Sequence, residues 1–333
     1  MKKILSVFLR IIGIMLLSVL GVVLFAAAAV FLLPLTETVD GTEVPGSADW
    51  MAKLDDGLPL SEITLPGTHN SGAEHAQLAF FSKCQSMGIK EQLEAGYRYL
   101  DIRLDGDEGV LRLMHGFTEC KPSALSNRAL TLSEVLGDCY AFLEEHSTET
   151  VLFCVKQEHG DLPVADLQRM LAEEIRRDPE RWLLTDALPT LGEARGKIVL
   201  LRRWEDDAGL GSDAGVPFGW KDQGGTEYPP EDTEANFPGE LLVWVQDRYE
   251  YDTEEKWEAF VEGLTVGVGE EEAALHFLST KGSFAYGHPY FFAQRLNKRL
   301  LAYELPGEGP LGWVIVDFGS ARLVEHIYER NFR

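Results

Sequence analysis

The stretch Ile63–Gly72, ITLPGTHNSG, runs from a short apolar segment through Pro66 and Gly67 to His69. It reads as a strand over Glu62–Leu65 entering a Pro-Gly turn that presents the histidine. Working outward, polar groups close several further apolar runs: Asp101 and Arg103 on Tyr99–Leu104, His115 after Leu111–Met114, Lys156 and Glu158 after Thr150–Val155. Polar side chains ending successive strands predict the mouth of a barrel.

Helical patterns separate these runs. Ile89–Ala95 precedes Gly96, Thr131 with Glu134 forms a capping box for a helix to His146, and further helices are expected near Thr253–Leu264 and Pro289–Leu301. Strands at Lys197–Arg203, Leu241–Gln246, Leu275–Leu278 and Leu311–Asp317 bring the series to about eight. The fold class expected is α/β, a single TIM-type (β/α)8 barrel, in a regular or in a distorted or incomplete form, over residues 58–333. Side chains alternate along a strand, so Asp101 shares a face with Arg103, Cys154 with Lys156 and Glu158, and Asp247 with Tyr249. The stretch 204–240 breaks the alternation and reads as a long rim loop, in which Phe218, Trp220 and Tyr228 either pack the loop down or meet a lipid interface.

The chain has 333 residues, 45% of them hydrophobic, and a formal charge of −24. It can bury a full core, and its charge speaks against nucleic acid as a partner. Lys2, Lys3 and Arg10 precede an uncharged apolar run over Ile11–Leu33, long enough for a bilayer that needs about 20 residues. Residues 1–35 therefore read as a transmembrane signal anchor or a signal peptide, residues 36–57 as a spacer, and the remainder as exported, membrane-anchored or secreted. Cys84 and Cys120 fall in loop-like sequence near the predicted mouth, and a disulfide between them is expected. Cys139 and Cys154 read as small buried hydrophobes.

Two histidines on neighbouring elements, with a cation beside them, suit general base and general acid work on a phosphodiester. His69 and His115 are the proton carriers, and Arg103 is placed to hold the charge that develops on phosphorus.

In order and spacing, ITLPGTHNSG, EQLEAGYRYLDIRL, LMHG, TETVLFCVKQE, KIVLLRRW, LLVWVQDRY and GWVIVDFG resemble the bacterial phosphatidylinositol-specific phospholipases C over about Leu58–Asn331. The resemblance implies that His69, oriented by Asp317, deprotonates the inositol 2-hydroxyl, which attacks its own phosphorus. His115 would then protonate the diacylglycerol oxygen while Arg103 clamps the phosphate. Lys156, Asp247 and Arg203, with Arg202 the competing choice, would hold inositol hydroxyls, and Tyr249 would stack on the ring. Calcium-using relatives carry an acid where this chain has Arg103, so no metal cofactor is expected. Asn70, Asp101 and Glu158 nonetheless occupy three of the four calcium-ligand positions, which leaves calcium as the alternative and places Asn70 and Glu158 among the substrate contacts. Asn70 also stands where metal-independent relatives usually have Asp, which would leave His115 less well supported. The partner implied is a phosphatidylinositol membrane or an inositol phosphodiester, and the enzyme is expected to be a monomer. The rival functions are a metal-dependent glycerophosphodiester or sphingomyelin-type phosphodiesterase and a non-catalytic binding barrel.

Overall fold

The computed structural model describes residues 2–35, 37–107, 109–224, 242–265, 268, 272–282, 287–307 and 309–333. Tyr228, Leu241 and the second part of the expected rim loop, residues 225–240, lie outside these residues. The chain divides into two units, residues 1–38 and 39–333. The first is helix α1, Lys2–Leu32, with an apolar stretch over Lys3–Val30. The 28 residues of this stretch span about 42 Å at 1.5 Å per residue, long enough and apolar enough to cross a membrane.

The second unit carries strands β1 Leu65–Thr68, β2 Tyr99–Asp107, β3 Val110–His115, β4 Thr118–Glu119, β5 Val151–Gln157, β6 Trp182–Leu183, β7 Ile198–Arg202, β8 Val216–Pro217, β9 Leu242–Gln246, β10 Glu272–Phe277 and β11 Trp313–Val316. Its helices are α2 Ala79–Ser82, α3 Ile89–Glu94, α4 Leu132–Glu145, α5 Val164–Ile175, α6 Leu191–Ala194, α7 Thr253–Gly263, α8 Pro289–Leu301 and α9 Ala321–Tyr328. The parallel ladder runs β6–β7–β5–β2–β1–β11–β10–β9, with β8 also beside β7. This is the expected TIM-type barrel in a distorted form, because among the described residues no ladder joins β8 to β9. A side chain bridges that gap: Gln223 Nε2 donates to the Val245 carbonyl at 2.9 Å, and its Oε1 accepts from Asp247 N at 2.8 Å.

Burial follows the alternation of strand faces. Tyr99, Cys154, Val199 and Leu201 lie in the barrel interior, whereas Leu100, Ile102, Phe153, Ile198 and Leu200 pack outward against the cluster that includes Phe142 of α4. Continuing the same parity up each strand aims Asp101, Arg103, Lys156 and Arg203 inward, and Arg202 outward. The capping box on α4 forms as expected, Thr131 Oγ1 accepting from Glu134 N at 3.4 Å.

Four expectations need correction. Pro66 and Gly67 are not a turn but the centre of β1, in register with Val314 and Ile315, and Leu60–Glu62 form a short helical turn instead. A Cβ at Gly67 would collide with the Ile315 side chain and stand 2.8 Å from Tyr99 Cβ, so glycine is what lets β1 settle between its neighbours. The turn comes three residues later, at Asn70 with φ 40°. The third run is not a barrel strand: Gly109, φ 80°, returns the chain so that β3 pairs antiparallel with β2, Leu104 facing Leu113. Parallel pairing would need a crossover of a dozen or more residues. The part of the expected spacer that begins at Ser47 is folded, since Trp50 and Met51 are fully buried and Trp50 Nε1 donates to the Gly96 carbonyl at 2.9 Å. Beside it Arg98 and Glu149, both fully buried, pair at 2.7 Å, and Arg98 also donates to the Ala48 carbonyl, which ties this segment to β2 and β5. Finally, all four cysteines are free and buried. Cys84 turns its sulfur to His115 Nδ1 and the Ser82 carbonyl, at 3.6 and 3.8 Å, rather than into a bridge with Cys120.

The packing at Gly67 predicts that Gly67→Ala destabilises the chain by about 1–3 kcal/mol, the usual cost of overpacking a core. Thermal or denaturant unfolding measures this, and an unchanged midpoint would contradict the register of β1.

Candidate active site

At the carboxyl ends of the strands lies a cavity of about 470 Å³ lined by His69, Cys84, Arg103, His115, Lys156, Glu158, Arg203, Trp220, Asp222, Asp247, Tyr249 and Asp317, among others. Strand parity and the short turn after β1 bring these groups together.

The two histidines are held alike. His69 Nδ1 lies 2.8 Å from Asp317 Oδ1, at the end of the adjoining strand β11. His115 Nδ1 lies 2.7 Å from the Ser82 carbonyl, which can only accept, so the neutral ring carries its proton on Nδ1. The rings stand perpendicular with centroids 5.9 Å apart. In each case Nε2 is the nitrogen left for a ligand. Burial, helped by the charges of His69 and Arg103, pulls the His115 pKa down to about 4 from the ordinary 6.5.

Arg103 is fixed on two sides, Nε to Asp101 Oδ2 at 3.0 Å and Nη1 to Glu158 Oε1 at 2.9 Å, which leaves Nη2 to reach a ligand. Burial works against its charge, but Asp101 and Glu158 more than offset this and hold its pKa well above the ordinary value. Reciprocally, Arg103 and Arg203 bring the buried Asp101 down to about 2, and Arg103 with Lys156 holds Glu158 well below the carboxylate range. Lys156, next to Arg103 in the β2–β5 register, pairs with Glu158 at 2.6 Å. Its pKa is lowered by burial and by Arg103.

At the far wall, the Arg203 guanidinium lies 3.4 Å over the Trp220 ring, while Trp220 Nε1 donates to Asp247 Oδ2 at 3.1 Å and Tyr249 Oη to Asp222 Oδ1 at 2.7 Å. Arg202 points away, bonded to the Gly215 and Trp204 carbonyls, so that of the two arginines it is Arg203 that lines the cavity.

Asp101 and Asn70 do not line the cavity. Asp101 is wholly buried beneath Arg103 and also accepts from Asn70 N at 3.0 Å. The Asn70 side chain is buried with Nδ2 unpartnered, and the backing of His115 comes from the Ser82 carbonyl and not from position 70. Cys84, Trp220 and Asp222 were missed as site residues. Only the aromatic and acidic make-up of the stretch after Trp204 pointed to the last two, and Phe218 of that stretch packs inward, stacked on Trp313 at 5.1 Å. Gln85 is a further support, its Nε2 donating to the His69 and Val316 carbonyls at 2.7 and 3.2 Å and so tying β1 to β11 below the His69–Asp317 pair.

A parallel barrel whose mouth presents two perpendicular imidazoles beside a buried, doubly paired arginine defines an α/β-barrel enzyme of the paired-histidine type. The sequence profile of the phosphatidylinositol-specific phospholipase C X domain matches residues 57–204. A 1-phosphatidylinositol phosphodiesterase of Staphylococcus aureus (strain Newman) is 28% identical over 291 residues, 82% of this chain and 88% of that protein. A Listeria monocytogenes protein of the same name is 30% identical over 161 residues, 46% of this chain and 47% of that one. Among solved structures, a pentafluoro-Phe variant of the S. aureus phosphatidylinositol-specific phospholipase C superposes with TM-score 0.70 at 26% identity, covering 86% of this chain and 97% of its own. In this segment and in its fold the chain is similar to the bacterial phosphatidylinositol-specific phospholipases C.

A buried imidazole kept neutral makes stability depend on pH. His115 and the buried His276 both have pKa values near 4 in the fold against an ordinary 6.5, so the unfolded chain binds more protons between these limits. Their contribution is complete above about pH 6.5 and is lost as pH falls toward 4. Melting curves should shift downward over that window, and His115→Gln should flatten the shift; a slope unchanged by the substitution would contradict the burial assigned to this ring.

Proposed function

We propose that the enzyme cleaves phosphatidylinositol to diacylglycerol and inositol 1,2-cyclic phosphate. The observation that carries this reading is the pairing of each histidine Nδ1 with a fixed acceptor, which leaves two Nε2 atoms for the cavity that Arg103 also lines. His69 Nε2 takes the proton of the inositol 2-hydroxyl, and Asp317 stabilises the imidazolium that results. The hydroxyl oxygen then bonds to phosphorus as the bond to the diacylglycerol oxygen breaks, and that oxygen leaves with a proton from His115. Arg103 Nη2 faces the non-bridging oxygens, where negative charge accumulates.

His115 acts as an acid only when protonated, and in the free site it is neutral at pH 7. An anionic phosphodiester placed beside it favours the charged ring, so one proton enters with the substrate. The same pair with roles exchanged opens the cyclic phosphate with water. Lys156, Arg203 and Asp247 supply donors and an acceptor for the inositol hydroxyls, and Tyr249 offers its ring face.

The residues do not suit calcium. Asp101 Oδ2 and Glu158 Oε1, which an oxygen cage would require, are already spent on Arg103, and a cation there would have to displace a guanidinium. The arginine supplies the positive charge itself, and we propose that the reaction needs no metal. We further propose that α1 acts as an anchor or signal segment, with the basic flank at Lys2, Lys3 and Arg10 inside and the barrel outside.

The test is the full chain acting on phosphatidylinositol in mixed micelles with EDTA, followed by phosphorus NMR. An early cyclic phosphate signal is expected, with kcat/KM reduced about 10²–10⁴-fold in His69→Ala and in His115→Ala. A signal seen only with calcium would overturn metal independence. Cleavage of another phosphodiester without any cyclic product would overturn the substrate assignment.

A further inference from the structure

The acid–base reading gives Cys84 no task, yet its sulfur stands among the side chains that do the work. It lines the same cavity, 3.6 Å from His115 Nδ1. One donor atom each of His69, Cys84 and Asp317 lies within 4.8 Å of the other two. We propose that these three residues form a site for a soft divalent cation of the zinc class, and that filling it shuts off the enzyme.

The donor set points to that class of ion. Thiolate, imidazole and carboxylate together suit zinc, whereas calcium takes oxygen alone. The site is therefore distinct from the oxygen positions at Asn70, Asp101 and Glu158. A thiolate and a carboxylate balance the two charges of the ion, and three protein ligands leave a fourth tetrahedral position open to the cavity.

The geometry is close to what binding requires. Bonds of about 2.3 Å to sulfur and about 2.0 Å to nitrogen or oxygen put tetrahedral ligand atoms roughly 3.3–3.6 Å apart. The His69–Asp317 edge, at 2.8 Å, must open slightly, and the longest separation, at most 4.8 Å, must close by about 1 Å or a little more. Cys84 sits in the loop between α2 and α3, where a side-chain rotation can supply such a shift.

The protons balance. The ion replaces the thiol proton of Cys84, which passes to water. A neutral imidazole has a single basic lone pair, so whichever nitrogen of His69 binds, that lone pair is consumed. If Nδ1 binds, its proton moves to Nε2; if Nε2 binds, the base is occupied directly. Either way His69 can no longer accept a proton from a substrate hydroxyl. Arg103 stands near enough to oppose the ion, which makes this a reversible inhibitory site rather than a closed structural one.

The full chain in detergent micelles, titrated with Co²⁺, tests the site through absorption. A cobalt–thiolate charge-transfer band in the near ultraviolet is expected, abolished by Zn²⁺ and by Cys84→Ser, and retained in Cys120→Ser. Zn²⁺ should also inhibit phosphatidylinositol cleavage, with Cys84→Ser raising the inhibiting concentration more than about a hundredfold, beyond the 10–100-fold that loss of an outer-shell partner costs. No band in the unaltered chain, or a band and an inhibition that survive Cys84→Ser, would overturn the site. The shut-off rests on the proposed reaction, but the cobalt band does not, so the two fail separately.

Discussion

A neutral imidazole has one N–H, and the group that receives it decides what the other nitrogen can do. In this barrel Asp317 faces Nδ1 of His69 and the Ser82 carbonyl faces Nδ1 of His115. The two acceptors are chemically different. A carboxylate stabilises an imidazolium after it forms, which suits a base, whereas the Ser82 carbonyl orients the ring and favours its charged form too little to offset burial and the charges of His69 and Arg103, which keep His115 neutral in the free site. Much of the surrounding fold serves these two contacts. Glycine in β1 lets that strand sit tightly between β2 and β11, and Gln85 ties the strand ends together, so that His69 and Asp317 meet from adjacent strands.

The second constraint is the guanidinium beside them. A buried arginine is tolerable only when paired, and Arg103 has Asp101 below and Glu158 to one side. Removing either carboxylate would leave the guanidinium with a single partner and free to turn. The pairing also fixes which edge of Arg103 faces the cavity. Lys156 completes the row by pairing with Glu158, so β2 and β5 present alternating charges rather than a block of one sign.

Much of this was legible in the sequence because strand parity is a strict rule. Asp101 and Arg103 could be placed on one face and Arg203 on the face of Leu201 and Val199 from spacing alone, but which of those faces points inward, and so the choice between Arg203 and Arg202, needed the structure. What the sequence could not reveal were contacts made by backbone or by distant loops. The Ser82 carbonyl has no signature, and so the backing of His115 was sought at Asn70. Pro66 and Gly67 carry the usual marks of a turn, and only the crowding by Tyr99 and Ile315 makes them strand residues. Trp220 and Asp222 come from a stretch with no periodicity, and they reach the cavity because Phe218 anchors that stretch against Trp313.

The central claim, that His115 waits as a neutral ring with its proton on Nδ1, is tested most directly by ¹⁵N NMR of the full chain with labelled histidine. At pH 7 the ring of the free enzyme should show a protonated Nδ1 and a bare Nε2, and adding inositol 1-phosphate should protonate Nε2. A ring already charged in the free enzyme, or one carrying its proton on Nε2, would contradict the account.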